Sequence, residues 1–146
     1  MQILLQRVSQ ASVSIAGRLQ GHIGQGLVVF VCAEPTDTQA TVQRAVGKLL
    51  GLRIFTDETG RMNHNVQDIH GALLIISQFT LAADTRHGHR PDFSRAAPAA
   101  QAEALYDALV AEIRQRHPDT STGCFGADMQ VALVNDGPVT ILLHLT

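Results

Sequence analysis

Two uninterrupted apolar segments constrain the fold of this chain more than any other feature of its sequence. Every residue of Leu27–Ala33 is apolar and several are β-branched, and Ala72–Ile76 is a second run of the same kind. A strand with this pattern has no polar face to present to water, so other elements cover it on both faces. We therefore expect Leu27–Ala33 to be a central strand of its sheet.

Shorter runs with apolar or alternating character predict further strands. They lie at Ile3–Val8, Ala11–Ile15, Leu52–Thr56, Met129–Val134 and Val139–Leu145. One more short strand is expected near Thr122–Phe125.

Two segments have the apolar spacing of amphipathic helices. The first is expected to begin after Thr36 or Thr38 and to end near Gly51, and the second is expected to begin at Pro98. The resulting order is β-β-β-α-β-β-α-β-β. It predicts an α/β fold, a layered single domain over residues 1–146 in which mostly antiparallel or mixed sheets pack with two helices.

The low charge content of the chain limits its partners. Charged residues make up 16% of the sequence, and 11 basic against 13 acidic residues give a formal net charge of −2. No overall positive field can hold a polyanion, so any contact with a nucleic acid must be local, and the arginines concentrate in Arg86–Arg95. So few charges leave apolar surface uncovered, which favours burial against a second copy, most simply in a homodimer.

The sequence contains no pattern typical of a membrane segment, a disulfide framework or a metal site. No apolar run approaches the roughly 18 residues that span a bilayer, and Cys32 and Cys124 are too few for a disulfide framework, so a cytoplasmic protein is expected. His87 and His89 lack the companion ligands of a zinc motif, and we expect no metal or other cofactor. For Cys124, inert packing is favoured over a reactive thiol.

Polar residues follow the second apolar strand directly. The sequence Ser77-Gln78-Phe79-Thr80 brings hydroxyl and amide groups to the end of a buried strand, where open α/β sheets usually bind their ligands. Alternatively, these residues only end the strand and satisfy its backbone. Thr80 has no adjacent base or N-terminal amine to activate it, so we do not assign it as a nucleophile.

The segment Asn135–Thr140, with the sequence NDGPVT, lies between two alternating strands. Asp136-Gly137 at this position predicts a hairpin turn, although Pro138 cannot donate to a strand ladder. A trans Gly137–Pro138 bond is favoured because cis bonds are uncommon. A cis bond would aim consecutive carbonyl groups outward as fixed acceptors.

These two polar segments carry a resemblance to a known family. Ser77–Thr80 has the form Ser-Gln-x-Thr, and Asn135–Thr140 has the form Asn-x-Gly-Pro-x-Thr. Nearly end to end, the chain resembles the D-tyrosyl-tRNA deacylase type of D-aminoacyl-tRNA deacylases. Further similar segments are Leu52–Phe55, Arg61–Asn63, Arg90-Pro91, Thr122-Gly123 and Phe125–Ala127 followed by Met129.

The resemblance implies an activity and an assembly. It implies hydrolysis of the ester that joins a D-amino acid to the terminal adenosine of tRNA, by a homodimer that has no cofactor and neither DNA nor a membrane as partner. It also implies that the Gly137–Pro138 bond is cis, and that this pair enters the cavity of the other subunit and rejects L-amino acids. Mischarged glycyl-tRNA lacks a Cβ and is expected to be hydrolysed as well.

The expected site combines the two polar segments with their surroundings. Water attacks the ester with help from the ribose hydroxyl of the substrate, and backbone donors near Ser77, Gln78 and Phe79 stabilise the oxyanion. Gln78 and Thr80 position groups without taking a proton. The terminal adenine is expected near Phe79, Phe125 or Met129. The other expected substrate contacts are Asn135, Gly137 and Pro138 for the amino acid, and Arg86, Arg90 and Arg95 for phosphates.

Two other functions remain open from the sequence. A different esterase that uses Cys124 would lose activity on thiol alkylation and would not prefer D-esters. A noncatalytic tRNA-binding dimer would bind tRNA whatever amino acid it carries and would release nothing.

Overall fold

A mixed sheet of six strands forms the frame of the structure, a computed structural model that describes residues 1–146. A separate two-stranded hairpin, two α-helices and one 3-10 helix complete it. In chain order the elements are β1 (Gln2–Ile15), β2 (Arg18–Ile23), β3 (Gly26–Cys32), α1 (Gln39–Gly51), β4 (Phe55–Thr56), β5 (Met62–His64), β6 (Ala72–Ser77), the 3-10 helix (Phe79–Ala82), α2 (Ala99–Arg116), β7 (Thr120–Thr122) and β8 (Gln130–His144).

The two uninterrupted apolar segments lie inside the sheet as β3 and β6. The strand order is β2-β1-β3-β6-β7, and β8 runs along β1. β3 pairs in parallel with β6, and β6 in parallel with β7, whereas the pairs made by β1 are antiparallel. Within β3 only Phe30 is half-buried and every other residue is buried. The prediction of a central strand covered on both faces is confirmed.

Each face of the sheet has its own core. On one face, α1 and α2 pack a cluster of 21 buried residues against the strands, with Leu49 from α1 and Ile113 from α2 among them. On the other face, the second half of β1 and β2 curve over β3 and β6, and Val13 and Ile23 join a cluster of 8 buried residues. The layered α/β fold predicted from the sequence is confirmed.

The segment predicted as a hairpin turn does not reverse the chain. The two strands predicted around it form one strand, β8, which pairs with β1 on both sides of the segment. β8 leaves its register with β1 after Asn135 and resumes it at Thr140, so residues 136–139 stand opposite one residue of β1, Arg7. The segment is therefore a β-bulge. The hairpin prediction is wrong because β1 is long enough to pair with β8 beyond the bulge.

Other element bounds differ from the prediction in smaller ways. The strands predicted at Ile3–Val8 and Ala11–Ile15 are the single strand β1, because β8 pairs along nearly its whole length. The strand predicted at Leu52–Thr56 is shortened to β4, and the one near Thr122–Phe125 is β7. Strands β2 and β5 are present in addition to the predicted elements. Helix α1 begins directly after Thr38, one of the two residues expected there.

The N-terminal ammonium group fixes the segment that follows β3. The ammonium of Met1 is buried and lies 2.6 Å from Asp37 Oδ1 and 2.9 Å from Glu34 Oε2. Burial alone would raise the pKa of Glu34, but hydrogen bonds from Gln2 and the ammonium group outweigh it and lower that pKa. These contacts hold the chain in place just beyond Cys32, at the end of the strand.

The close approach of β3 to β6 depends on a glycine. A Cβ atom at Gly26 would lie 1.8 Å from the carbonyl oxygen of Ala72, far inside van der Waals contact. We expect Gly26→Ala to lower the free energy of unfolding by about 3 kcal/mol or more, because backbone must move to relieve the overlap. Gly24→Ala is the control, since a Cβ there meets nothing within 4 Å, and it should change the free energy by less than about 1 kcal/mol. Urea denaturation measures both, and equal midpoints would contradict the close approach.

Candidate active site

A cavity of about 560 Å³ opens at the carboxyl ends of β3 and β6. Because these strands are parallel, both end at this edge, and Val31–Ala33 and Ile76–Phe79 form neighbouring walls. The first part of α2 and the segment 125–129 complete the enclosure, and 15 of the 19 lining residues are hydrophobic. The cavity lies where the sequence predicted a ligand site, at the end of the second apolar strand.

The structure brings some of the predicted site residues together and keeps others apart. Those that line the cavity are Ser77, Gln78, Phe79, Phe125 and Met129, and Thr80 follows them directly without lining it. Those that lie on the bulge of β8, outside the cavity lining, are Asn135, Gly137 and Pro138. Arg86 and Arg90 lie in an exposed loop. A single copy of the chain therefore holds its predicted site in separate parts.

One backbone N–H of the segment Ser77–Thr80 is used in the hydrogen bonding of the sheet. The Gln78 N–H donates to the carbonyl oxygen of Val31 at 2.8 Å, which extends the pairing of β3 and β6 by one residue. The backbone N–H of Gln78 is therefore not free to be the oxyanion donor expected from the sequence. Phe79 and Thr80 open the 3-10 helix, and their N–H groups have no acceptor within it. The Gln78 side chain donates from Nε2 to the hydroxyl of Thr80, so this hydroxyl is held by its neighbour.

The two cysteines have different environments. Cys32 lines the cavity, a position that sequence analysis did not assign to it, and its thiol lies 3.5 Å from the carbonyl oxygens of Phe79 and Ala33. Burial raises the pKa of Cys32, so the group is a neutral thiol at neutral pH and a poor nucleophile. Cys124 is exposed and does not line the cavity, so the packing expected for it is wrong.

Tyr106 of α2 forms a buried part of the cavity wall. Its hydroxyl donates to the carbonyl oxygen of Ile75 at 2.9 Å, and the same carbonyl accepts the Gly123 N–H at 3.1 Å. Burial raises the pKa of Tyr106 to about 12, so the hydroxyl remains a donor at neutral pH. The ring centroid lies 6.0 Å from that of Phe125. Tyr106 thereby joins α2, β6 and the Phe125 wall.

The bulge of β8 presents Gly137 and Pro138 at the surface. The peptide bond between them is cis, as the family resemblance implies, and the trans bond favoured on frequency alone is wrong. Gly137 has a φ of +150°, and a Cβ there would lie 2.7 Å from the nitrogen of Val139, so only glycine fits. The side chain of Asn135 closes the bulge. Its Oδ1 accepts the Val139 N–H at 2.8 Å, and its Nδ2 donates to the Val139 carbonyl at 3.2 Å.

Arg7 holds the bulge from the neighbouring strand. Its side chain is buried, and it donates from Nε to the carbonyl oxygen of Asp136 at 2.9 Å and from Nη1 to the carbonyl oxygen of Ile54 at 2.6 Å. The Nε atom also lies 3.5 Å from the carboxylate of Asp136. A buried guanidinium needs such acceptors, and it fixes the groups that supply them. Arg7 is absent from the predicted site, although a charged residue in the predicted strand Ile3–Val8, where four of six residues are apolar, is a signal for a buried polar contact.

The basic segment forms an exposed loop that is closed at its base. Asp84 and Asp92 exchange two backbone hydrogen bonds of 2.7 and 3.0 Å. Arg86 pairs with the Asp84 carboxylate, and this hydrogen bond holds the pKa of Asp84 well below its usual range and raises that of Arg86. Of the three arginines only Arg86 forms an ion pair. Arg90 and Arg95 therefore retain free guanidinium groups, whereas the charge of Arg86 is already compensated.

The structure contains neither a cluster of candidate metal ligands nor a helix that could cross a membrane. No group of three or more histidine, cysteine, aspartate or glutamate side chains is arranged to hold a metal ion. His87 and His89 are exposed in the basic loop. Neither helix combines the length and the apolar character that a bilayer crossing requires.

The chain matches one protein family over nearly its full length. The model of the family described as D-Tyr-tRNA(Tyr) deacylase matches residues 4–144. A D-aminoacyl-tRNA deacylase from Ectopseudomonas mendocina is 58% identical over 145 residues, which are 99% of this chain and 100% of the relative. Another from Acidovorax ebreus is 56% identical over 147 residues, covering 97% of this chain and 96% of the relative.

Two solved structures have the same fold. One, the c-Myc DNA Unwinding Element Binding Protein, superposes with a TM-score of 0.95 at 39% identity and covers 100% of this chain and 99% of its own. The other, described as a probable eukaryotic D-amino acid tRNA deacylase, has a TM-score of 0.88 at 17% identity and covers 97% of each chain. The second likeness concerns the fold alone.

The hydrogen bonds of Asn135 predict how the bulge responds to mutation. Asn135→Ala removes the acceptor of the Val139 N–H, so we expect the amide of Val139 to exchange with solvent about tenfold faster or more. Asn135→Asp keeps an oxygen acceptor for the Val139 N–H but loses the Nδ2 donor to the Val139 carbonyl, so exchange should speed up less than in the alanine variant. Amide exchange followed by NMR measures both variants. An unchanged rate in the alanine variant would show that the side chain does not close the bulge.

Proposed function

This chain belongs to the D-Tyr-tRNA(Tyr) deacylase family, and we propose that it hydrolyses the ester bond of D-aminoacyl-tRNA to release free tRNA and the amino acid. The observation that carries the proposal is the match to the family model over residues 4–144. That range includes both the cavity and the bulge of β8. Enzymes with this activity are ester hydrolases.

The cavity favours attack by water over attack by a protein nucleophile. The hydroxyl of Thr80 is held by Gln78, and the thiol of Cys32 is neutral and directed at carbonyl oxygens. An aminoacyl ester is already activated, so its hydrolysis does not demand a covalent intermediate. Water adds to the carbonyl carbon, the ester C–O bond breaks, and the ribose oxygen of tRNA leaves with a proton. The neighbouring ribose hydroxyl assists in moving that proton.

Main-chain donors stabilise the oxyanion in this mechanism. The backbone N–H groups of Phe79 and Thr80 are the first that the sheet leaves free, and Phe79 lines the cavity. Donors of this kind, fixed before the reaction, are effective because they need no reorganisation when charge develops. Ser77 and Gln78 complete the segment: Ser77 ends β6 at the cavity, and Gln78 fixes the helix start.

The bulge of β8 is proposed to select the D-amino acid. Rejecting the L-enantiomer by a factor of about 10⁴ requires about 5.5 kcal/mol of differential transition-state binding. A flexible side chain can rotate away and lose this difference. The carbonyl groups of Gly137 and Pro138 are main chain, and Arg7 and Asn135 hold the segment on both sides. These two carbonyl groups accept hydrogen bonds from the α-amino group of the substrate and exclude the Cβ of an L-amino acid.

A second copy of the chain is needed to bring the bulge to a cavity. Gly137 and Pro138 do not line the cavity of their own chain. β8 pairs with β1 on one side only, and it exposes 48% of Val134 and 52% of Leu142. A free strand edge with exposed apolar side chains is typical of a surface that pairs with another chain. A twofold homodimer supplies each cavity with the bulge of the other subunit.

The substrate range follows from reading the amino acid through main-chain atoms. The side chain of a D-amino acid points away from the bulge, so many D-amino acids are accepted. Glycine has no Cβ to exclude, and glycyl-tRNA is therefore hydrolysed too.

Contacts to tRNA are local in this proposal. Phe79, Phe125 and Met129 provide apolar surface for the terminal adenosine, and Arg90 and Arg95 are free to meet phosphates. A net charge of −2 gives no general affinity for polyanions, so DNA is not proposed as a partner of this chain. Because aminoacyl-tRNA is made and used during translation, we place the enzyme in the cytoplasm.

Deacylation of D-tyrosyl-, L-tyrosyl- and glycyl-tRNA tests the proposed function together with the gate, by which we mean the selection of D-amino acids by the bulge of β8. We expect release from the D-tyrosyl and glycyl esters and release from the L-tyrosyl ester that is slower by about 10⁴-fold. Similar rates for both tyrosyl esters would refute the gate. Binding of tRNA without any release would favour a noncatalytic dimer. Loss of activity after thiol alkylation, without a preference for D-esters, would favour an esterase that uses Cys124.

Replacement of Gly137 tests the bulge directly. We expect Gly137→Ala to lower kcat/KM for D-tyrosyl-tRNA by about 100-fold or more, because the added Cβ overlaps Val139 and displaces both carbonyl groups. Thr80→Ala is the contrasting variant. It keeps its backbone N–H and loses only a hydroxyl, so it should retain substantial activity. Complete loss in a folded Thr80→Ala protein would instead make Thr80 the nucleophile.

Mixing two inactive variants distinguishes a gate supplied by the partner from one used within a chain. Ala127→Trp fills the cavity but leaves the bulge intact, whereas Gly137→Ala damages the bulge but leaves the cavity intact. After subunit exchange, half of the dimers are mixed and each has one complete site, so about a quarter of the original activity should return. No recovery from folded, exchanging subunits would contradict a shared site.

A further inference from the structure

Two aromatic rings at the rim of the cavity are exposed to solvent. Phe79 is 58% exposed and Phe93 is 36% exposed, and both line the cavity. Their ring centroids lie 5.1 Å apart with an interplanar angle of 73°. The chain has only five phenylalanines and one tyrosine, and the other four aromatic residues are buried or half-buried. Exposed apolar rings therefore concentrate at this one place.

The turn that carries Phe93 is well braced. Asp92 Oδ1 accepts the Ser94 N–H at 2.6 Å, and the carbonyl oxygen of Phe93 accepts the Ala96 N–H at 3.0 Å. The next residue, Ala97, donates to the carbonyl oxygen of Ala33 at 2.9 Å, which attaches the turn to the end of β3. Phe93 is therefore held against Phe79 by a built turn, and its exposure does not come from a loose chain end.

The order of groups in the substrate decides which aromatic residue meets the base; this step rests on the proposed function. If the ester carbonyl lies at the N–H groups of Phe79 and Thr80, the ribose lies beside them and the base lies one sugar further away. The rest of the tRNA stays outside, so the base lies toward the rim. Phe125 packs on buried Tyr106, which places it deeper in the wall.

We propose that Phe93 is a nucleobase-stacking residue that holds the terminal adenine of tRNA at the rim of the cavity. In an edge-to-face pair, one ring contributes an edge and the other contributes one of its two faces. In either arrangement at least one face of Phe93 is not covered by Phe79, and this face is available to a base. Every base has such a face, and stacking of this kind therefore adds affinity without reading sequence. Phe93 acts on binding and leaves the chemistry to the backbone of Phe79 and Thr80. From the sequence the adenine is expected near Phe79, Phe125 or Met129, and Phe93 is not among the expected contacts.

The test compares two unreactive ligands on the intact protein. One is 3′-deoxy-3′-(D-tyrosylamino)adenosine, in which an amide replaces the ester, and the other is the same amide on a ribose without a base. For Phe93→Leu we expect Kd for the adenosine ligand to rise about tenfold and Kd for the abasic ligand to stay within about twofold. Phe93→Tyr keeps an aromatic face and should bind both ligands as the original protein does. Deacylation should change in KM and not in kcat.

The outcomes separate this inference from the proposed function. An original protein that binds neither ligand and releases no D-tyrosine would overturn the proposed function. An active original protein whose Phe93→Leu variant, folded by its melting temperature, binds the adenosine ligand as before would overturn only the role of Phe93. Equal weakening of both ligands would also overturn it, because Phe93 would then act by supporting Phe79.

Discussion

The parallel pairing of two fully covered strands is the constraint on which the rest of the structure depends. β3 and β6 approach closely because Gly26 admits the carbonyl group of Ala72. Both strands run the same way, so both end at one edge, and the cavity walls are attached to this edge or packed against it. Helices cover one face of the pair and the curved part of the sheet covers the other. Without burial of both faces of the pair, the carboxyl ends of β3 and β6 would not lie side by side, and no cavity would form there.

The proposed active site combines two parts of the fold that do not meet within one copy. One part is the cavity with the free amides of the 3-10 helix, and the other is the bulge of β8. In both parts the groups assigned to the chemistry are main-chain atoms, and side chains serve as braces. Arg7 and Asn135 fix the bulge, and the thiol of Cys32 contacts the start of the helix. Such braces suit the proposed selection between mirror-image substrates, because selectivity of that kind is lost when the contact surface yields.

The sequence predicts those features whose cause is local and misses those set by a distant partner. Apolar runs identified β3 and β6, and helical spacing identified α1 and α2, because burial leaves its mark on the pattern of each segment. The two polar segments led to the family. Asp136-Gly137 predicts a hairpin because that signal is local, whereas the path of the chain is decided by pairing with β1. The use of the Gln78 amide depends likewise on Val31, and the role of Arg7 depends on acceptors from two other elements.

The backbone N–H groups just after Gln78 are not used in the sheet, and this affects how such a protein tolerates mutation. Every amino acid except proline carries an N–H group, so almost no codon change at positions 79 and 80 can delete the donor itself. A lineage can therefore vary the side chains of this short helix while the underlying chemistry persists. A substitution in the hydrophobic core is more harmful, because a shift of β6 moves the N–H groups of residues 79 and 80 together. For these two donors the vulnerable positions thus lie in the hydrophobic core beneath the short helix, away from the side chains of the helix itself.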